Sequence, residues 1–137
     1  MSSLQGPGRF DRAVSSRNTG GDGGSSPALS AGAAQGKLVR DLIPEIIRRD
    51  GGEPRTYVAD DEEYVQRLQD KLQEELAEFL VAEHVSAQVE ELADVLEVVH
   101  ALARHLGFTP AELDVVRVQK AMGRGAFQQR TVWTGNA

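Results

Sequence analysis

From residue 37 onward the chain alternates between apolar stripes at helical spacing and short polar breaks. Lys37 to Ile43 leads into Pro44, a residue suited to the first turn of a helix. The apolar pairs around it predict a short helix through Arg49 that stops at Gly51-Gly52. Arg55 to Val58 reads as a brief extended piece. Tyr64, Val65, Leu68, Leu72, Leu76 and Phe79 recur at three- and four-residue steps, which predicts a long amphipathic helix. Its cap is Asp60 or Asp61, with acidic residues in the first turn where the helix dipole favours them. That helix fades near Glu83-His84. Ser86 is the expected cap of the next, whose apolar set is Leu92, Val95, Val98, Val99, Leu102 and Leu106 and which ends at Gly107. Thr109-Pro110-Ala111-Glu112 has the form of a capping box with proline at the first helical position. A last helix then runs through Val115, Val116, Val118 and Met122 to Gly123 and Gly125. The expected fold is all-α: a helical hairpin with flanking helices, in a four-helix-type bundle completed by oligomerisation.

Residues 1–36 have a different texture. They hold eight of the 14 glycines and seven serines, too little apolar surface to offset the entropy of ordering, and are expected to form a disordered tail ahead of a domain at 37–137. Of the net charge of −6, the tail carries +1 and the domain therefore −7. An acidic surface argues against nucleic acid or an anionic membrane as partner. The chain has no cysteine, which removes disulfides, thiolate nucleophiles and Cys-ligated metals. With no run of about 18 apolar residues and no signal-peptide core, the expected location is cytoplasmic.

Two acidic clusters carry the candidate chemistry: Glu74-Glu75-Leu76-Ala77-Glu78 and Glu91-Leu92-Ala93-Asp94. Glu75 with Glu78, and Glu91 with Asp94, are spaced i, i+3, which sets each pair on one helix face. At about 100° per residue Glu91 falls between Val95 and Val98, and Glu75 beside Leu68, Leu72 and Phe79. These carboxylates therefore point along the packed face. Burying several like charges together is costly, and a divalent cation with a preference for hard oxygen ligands resolves the cost. A hairpin reversing at 84–86 brings the two pairs to similar heights. Glu62, Glu63, Glu83, Glu90 and Glu97 read as ordinary solvated residues, and His84, His100 and His105 do not form a ligand set.

The motif Glu74-Glu75-x-x-Glu78, twelve residues, then Glu91-x-x-Asp94 resembles the signature of the MazG-like, all-α nucleoside triphosphate pyrophosphohydrolases. Lys37 to Ile47 is similar to the entry segment of small members, and Lys120-Ala121-Met122-Gly123-Arg124-Gly125-Ala126-Phe127 resembles their closing element. The resemblance spans about residues 36–133. It implies Glu75, Glu78, Glu91 and Asp94 as ligands of Mg2+, with Mn2+ as a substitute and zinc disfavoured. It implies Glu74 as an accessory ligand or as the group that orients and deprotonates the attacking water. The implied reaction is hydrolysis of a nucleoside triphosphate between the α- and β-phosphates, in the service of nucleotide-pool clearing, by a homodimer or larger homo-oligomer.

Cations must hold the outer phosphates. Spacing makes Lys71, one turn before Glu75, the first candidate, with an ion pair to Glu74 or Glu75 as the alternative role. The resemblance adds Lys37, Arg40, Lys120 and Arg124. Phe127 is expected in the core rather than against a base, and Trp133 is open between the two. Two other readings fit the same residues: phosphoribosyl-ATP pyrophosphohydrolase, and a non-catalytic helical dimerisation or metal-binding module.

Overall fold

A computed structural model describes residues 36–137, so the tail expected at 1–36 lies, but for Gly36, outside the described residues. Four helices and no strand occur among them: α1 (Ile43–Arg49), α2 (Asp61–Val81), α3 (Val85–His105) and α4 (Pro110–Arg124). The all-helical class read from the sequence is what the backbone shows. The chain divides between Thr56 and Tyr57 into two units, inside the stretch read as one domain.

In the first unit, Pro44 occupies the first turn of α1, where its missing N–H is no loss. The helix stops because Gly51 (φ +91°) turns the chain left-handed. The Gly51 and Gly52 N–H groups then donate back to the carbonyls of Arg48 and Ile47, at 3.0 and 2.9 Å. Arg55 to Val58, expected to be extended, forms no strand.

The second unit is built on the α2–α3 hairpin. Asp60 is the cap of α2: its side chain accepts from the Glu63 N–H at 2.8 Å, and Asp61, Glu62 and Glu63 load the first turn. Only residues 82–84 separate the two long helices. Ser86 is not the cap of α3. The helix starts one residue earlier, at Val85, with His84 in the extended capping position and no side-chain cap bond. The connection is tied instead by Gln88, whose Nε2 donates to the Ala82 carbonyl at 3.2 Å. The antiparallel register shows at both ends of the hairpin. Near the turn, oxygens of Glu75 and Glu78 approach Glu91. At the open end, the rings of Tyr64 and His105 meet edge to face, 5.9 Å apart.

Gly107 (φ +93°) closes α3. Its N–H donates to Arg104 and that of Phe108 to Ala103, each at 2.9 Å, the paired bonds of a glycine-terminated helix. The expected capping box then opens α4, with Thr109 Oγ1 accepting from the Glu112 N–H and the Glu112 carboxylate from the Thr109 N–H.

The core is small. Leu68 (2 % exposed), Val98 and Ala103 are its buried apolar residues, and Glu75, Glu91 and Asp94 are buried with them. Many residues expected inside are not. Leu76, Leu92, Leu106, Val115, Val116, Val118 and Met122 are exposed, and Phe127 is 93 % exposed rather than in the core. Helical spacing states correctly that these side chains share a face. It does not state that the same chain supplies the cover. No helix of the described residues is long and apolar enough to cross a membrane.

Candidate metal centre

Helix geometry places the acidic residues where the wheel put them. Glu75 and Leu68 share the inner face of α2, and Glu91, Asp94 and Val98 the inner face of α3. Because the connection is short, Glu75 and Glu91 face each other close to the reversal. Glu91 is the most deeply buried of these side chains, at 1 % exposure. One ligand oxygen each from Glu75, Glu78 and Glu91 lies within 4.8 Å of the others. Asp94 sits one turn along α3, buried, but outside that mutual set.

This donor set fits a hard cation. Two oxygens on opposite sides of one magnesium ion stand about 4.2 Å apart, twice the usual bond length. Adjacent ligands stand closer, about 3.0 Å apart, so oxygens within 4.8 Å of one another reach one ion by side-chain closure around it or through a bridging water. The set is all-oxygen, with no imidazole or thiolate, which suits magnesium or manganese over zinc. Three buried oxygens, Glu75 Oε2, Glu91 Oε2 and Asp94 Oδ2, accept no hydrogen bond, while each of these residues has further interactions.

Lys71 is placed where its spacing implied, and both of its expected partners are found. Its Nζ lies 3.2 Å from Glu74 Oε1 and 3.5 Å from Glu75 Oε1, with the lysine side chain 19 % exposed. Glu74 stands on the flank of the cluster, half-buried. Lys120 and Arg124 lie exposed on α4, and Lys37 and Arg40 precede α1 in the other unit.

Arg67, on the turn before Lys71, was not singled out by the sequence. Its Nε donates to Glu63 Oε2 at 3.1 Å, and its Nη2 lies 3.0 Å from the same oxygen and 3.3 Å from the Tyr57 hydroxyl. Tyr57 in turn donates to Glu63 Oε2 at 2.5 Å. Burial alone would lower the Arg67 pKa, but the bonds from Tyr57 and Glu63 outweigh it and raise the value. The only signal in the sequence was the four-residue step from Glu63 through Arg67 to Lys71, which looks the same as a surface ion pair. Glu63 and Glu90, expected to be solvated, are half-buried.

Compared with protein-family models, curated proteins and solved structures, the chain finds no match in any of the three. What fold and site define together is an all-helical protein with an acidic, oxygen-only centre between two antiparallel helices.

Proposed function

We propose that the protein is a magnesium-dependent nucleoside triphosphate pyrophosphohydrolase. The observation that carries the reading is the convergence of carboxylates from two helices, buried Glu75 and half-buried Glu78 on one and buried Glu91 on the other, with buried Asp94 a turn away. Desolvating like charges side by side is unfavourable unless a cation enters the site. An inert dimerisation module has no need of that arrangement, since leucine or valine at the same positions would pack better.

Glu75, Glu78, Glu91 and Asp94 would hold the metal. Magnesium there supplies charge neutralisation on a triphosphate and an acidified bound water. The chain's own residues do the rest. Glu74, on the flank of the cluster, holds the attacking water and takes its proton. As the water oxygen bonds to the α-phosphorus, the bond from that phosphorus to the α–β bridging oxygen breaks. Pyrophosphate leaves and the monophosphate remains. Lys71, between Glu74 and Glu75, offsets negative charge where the phosphates enter.

The active form is a homo-oligomer, at least a dimer. Val85, Val89, Leu92 and Leu96 are exposed along one stripe of α3 at steps of four, three and four residues, and Leu76 and Leu80 are exposed on α2. That seam has the spacing at which helices of two copies interlock. With only three apolar residues buried among the described residues, covering it would add a large share of the core. The protein acts on a soluble nucleotide, in the cytoplasm, without a nucleic-acid or membrane partner. Pyrophosphate release with magnesium across a nucleotide panel tests the reaction. Turnover lost in Glu78→Gln and Asp94→Asn supports it, and folded, metal-supplied protein that turns over no triphosphate removes it.

A further inference from the structure

Arg67, Lys71 and Glu75 follow one another at four-residue steps on α2, each step turning about 40°, so they run as a shallow spiral along one side of the helix. At 1.5 Å of rise per residue, Lys71 stands roughly 6 Å and Arg67 roughly 12 Å along the axis from Glu75. The order along this flank is two cations and then the carboxylate cluster. A long lysine or arginine on a two-helix hairpin ordinarily extends into water. Here the Arg67 side chain is 14 % exposed and that of Lys71 19 %. The guanidinium is also fixed in plane, gripped through Nε and Nη2 by Glu63 and Tyr57. An exposed i, i+4 pair needs neither the burial nor the tyrosine. A planar guanidinium held along its Nε–Nη2 edge by a carboxylate is preorganised, and a fixed, permanent cation of this kind suits recognition of phosphate.

We propose that Arg67 is a phosphate-binding residue, the far end of a cation row that starts at Lys71 and receives the pyrophosphate portion of the substrate. The proposal rests on reading the carboxylate cluster as a polyphosphate site, and it adds the direction in which the chain of phosphates runs: from the carboxylates toward the start of α2. Tyr57 and Glu63 are positioning residues that hold the guanidinium in its plane.

Titration of the full-length protein with magnesium pyrophosphate by calorimetry, beside titration with magnesium alone, tests this. Loss of one charge-assisted contact in Arg67→Gln is expected to weaken pyrophosphate binding roughly tenfold, leave binding of magnesium alone unchanged, and raise KM for the triphosphate more than it lowers kcat. Arg67→Lys keeps the charge without the fixed planar group and is expected to bind roughly threefold more weakly than wild type. Should Arg67→Gln not fold, Arg67→Lys carries the test by itself. A lower melting temperature with unchanged pyrophosphate affinity identifies Arg67 as a structural pair of Glu63 and overturns the proposal. So does a wild-type protein that binds no magnesium pyrophosphate. Wild-type turnover that persists with Arg67 irrelevant leaves the proposed reaction standing. Pyrophosphate binding that depends on Arg67 in a protein without turnover does the reverse.

Discussion

The Lys71 ammonium lies 3.5 Å from the carboxylate of Glu75, one helical turn away and almost fully buried. The pair gives α2 a positive charge beside a centre that is otherwise acidic. Lys71→Gln removes it and leaves Glu75 in place. Breaking a buried pair from one side costs several kcal/mol, but the exposed part of Lys71 reduces this to about 1–2 kcal/mol. The variant should melt below wild type without metal and should gain more than wild type from added magnesium, because the ion takes over the compensation. Thermal unfolding with and without magnesium measures both. Equal gains in the two proteins would separate Lys71 from the metal centre.

Glu91→Gln makes the opposite trade. Replacing the most buried carboxylate by an amide removes one of several like charges, so the metal-free variant should be at least as stable as wild type. Magnesium should then no longer raise its melting temperature. Even the loss of an outer-shell partner weakens metal binding 10- to 100-fold, so the loss of a ligand should lower pyrophosphate release by more than about a hundredfold. A variant that is destabilised yet still answers to magnesium would mean that Glu91 has a packing role only.

The capping box of α4 sets an acid limit for that helix. The backbone N–H of Thr109 donates to the Glu112 carboxylate and holds its pKa below the ordinary carboxylate value, with the Thr109 side chain adding to this. A lowered pKa in the folded state means stability that is present above the unfolded pKa and is lost as pH falls through the folded one. Helix α4 should therefore fray on acidification, and Glu112→Gln should flatten that dependence. Thr109→Ala should destabilise by about 1 kcal/mol at neutral pH through loss of the cap. Amide exchange along Pro110–Arg124 follows all three effects.

The exposed seam on α3 gives a prediction about assembly. Leu92→Glu puts a charge in the middle of the stripe formed by Val85, Val89, Leu92 and Leu96 and should shift the protein toward monomer, read by light scattering coupled to size exclusion. A wild type already monomeric at micromolar concentration would remove the oligomer from the proposal.

Much of this fold can be read from residue order. The turn chemistry at Asp60, Gly107 and Thr109 is local, and the structure uses all three as the residue types imply. Glu75 and Glu91 were found as inward carboxylates because a helix wheel needs nothing beyond the helix itself. The failures arise where a second surface decides. Phe127, Leu92 and Met122 are as apolar as Leu68 and Val98, and whether each is covered depends on what packs against it. Residue order does not mark Arg67, because its surroundings depend on Tyr57, ten residues earlier and outside the helix. The position of Asp94 outside the 4.8 Å set depends on side-chain geometry that spacing does not specify.

The three-residue connection between the long helices bears on how the site comes into being. Glu75 and Glu91 are separated by sixteen positions, so closing the chain around them costs little entropy, and the centre can assemble as soon as the reversal forms. Cation affinity should then belong to the hairpin as a local unit. It should survive events that melt α4 and vanish with a cut at residues 82–84.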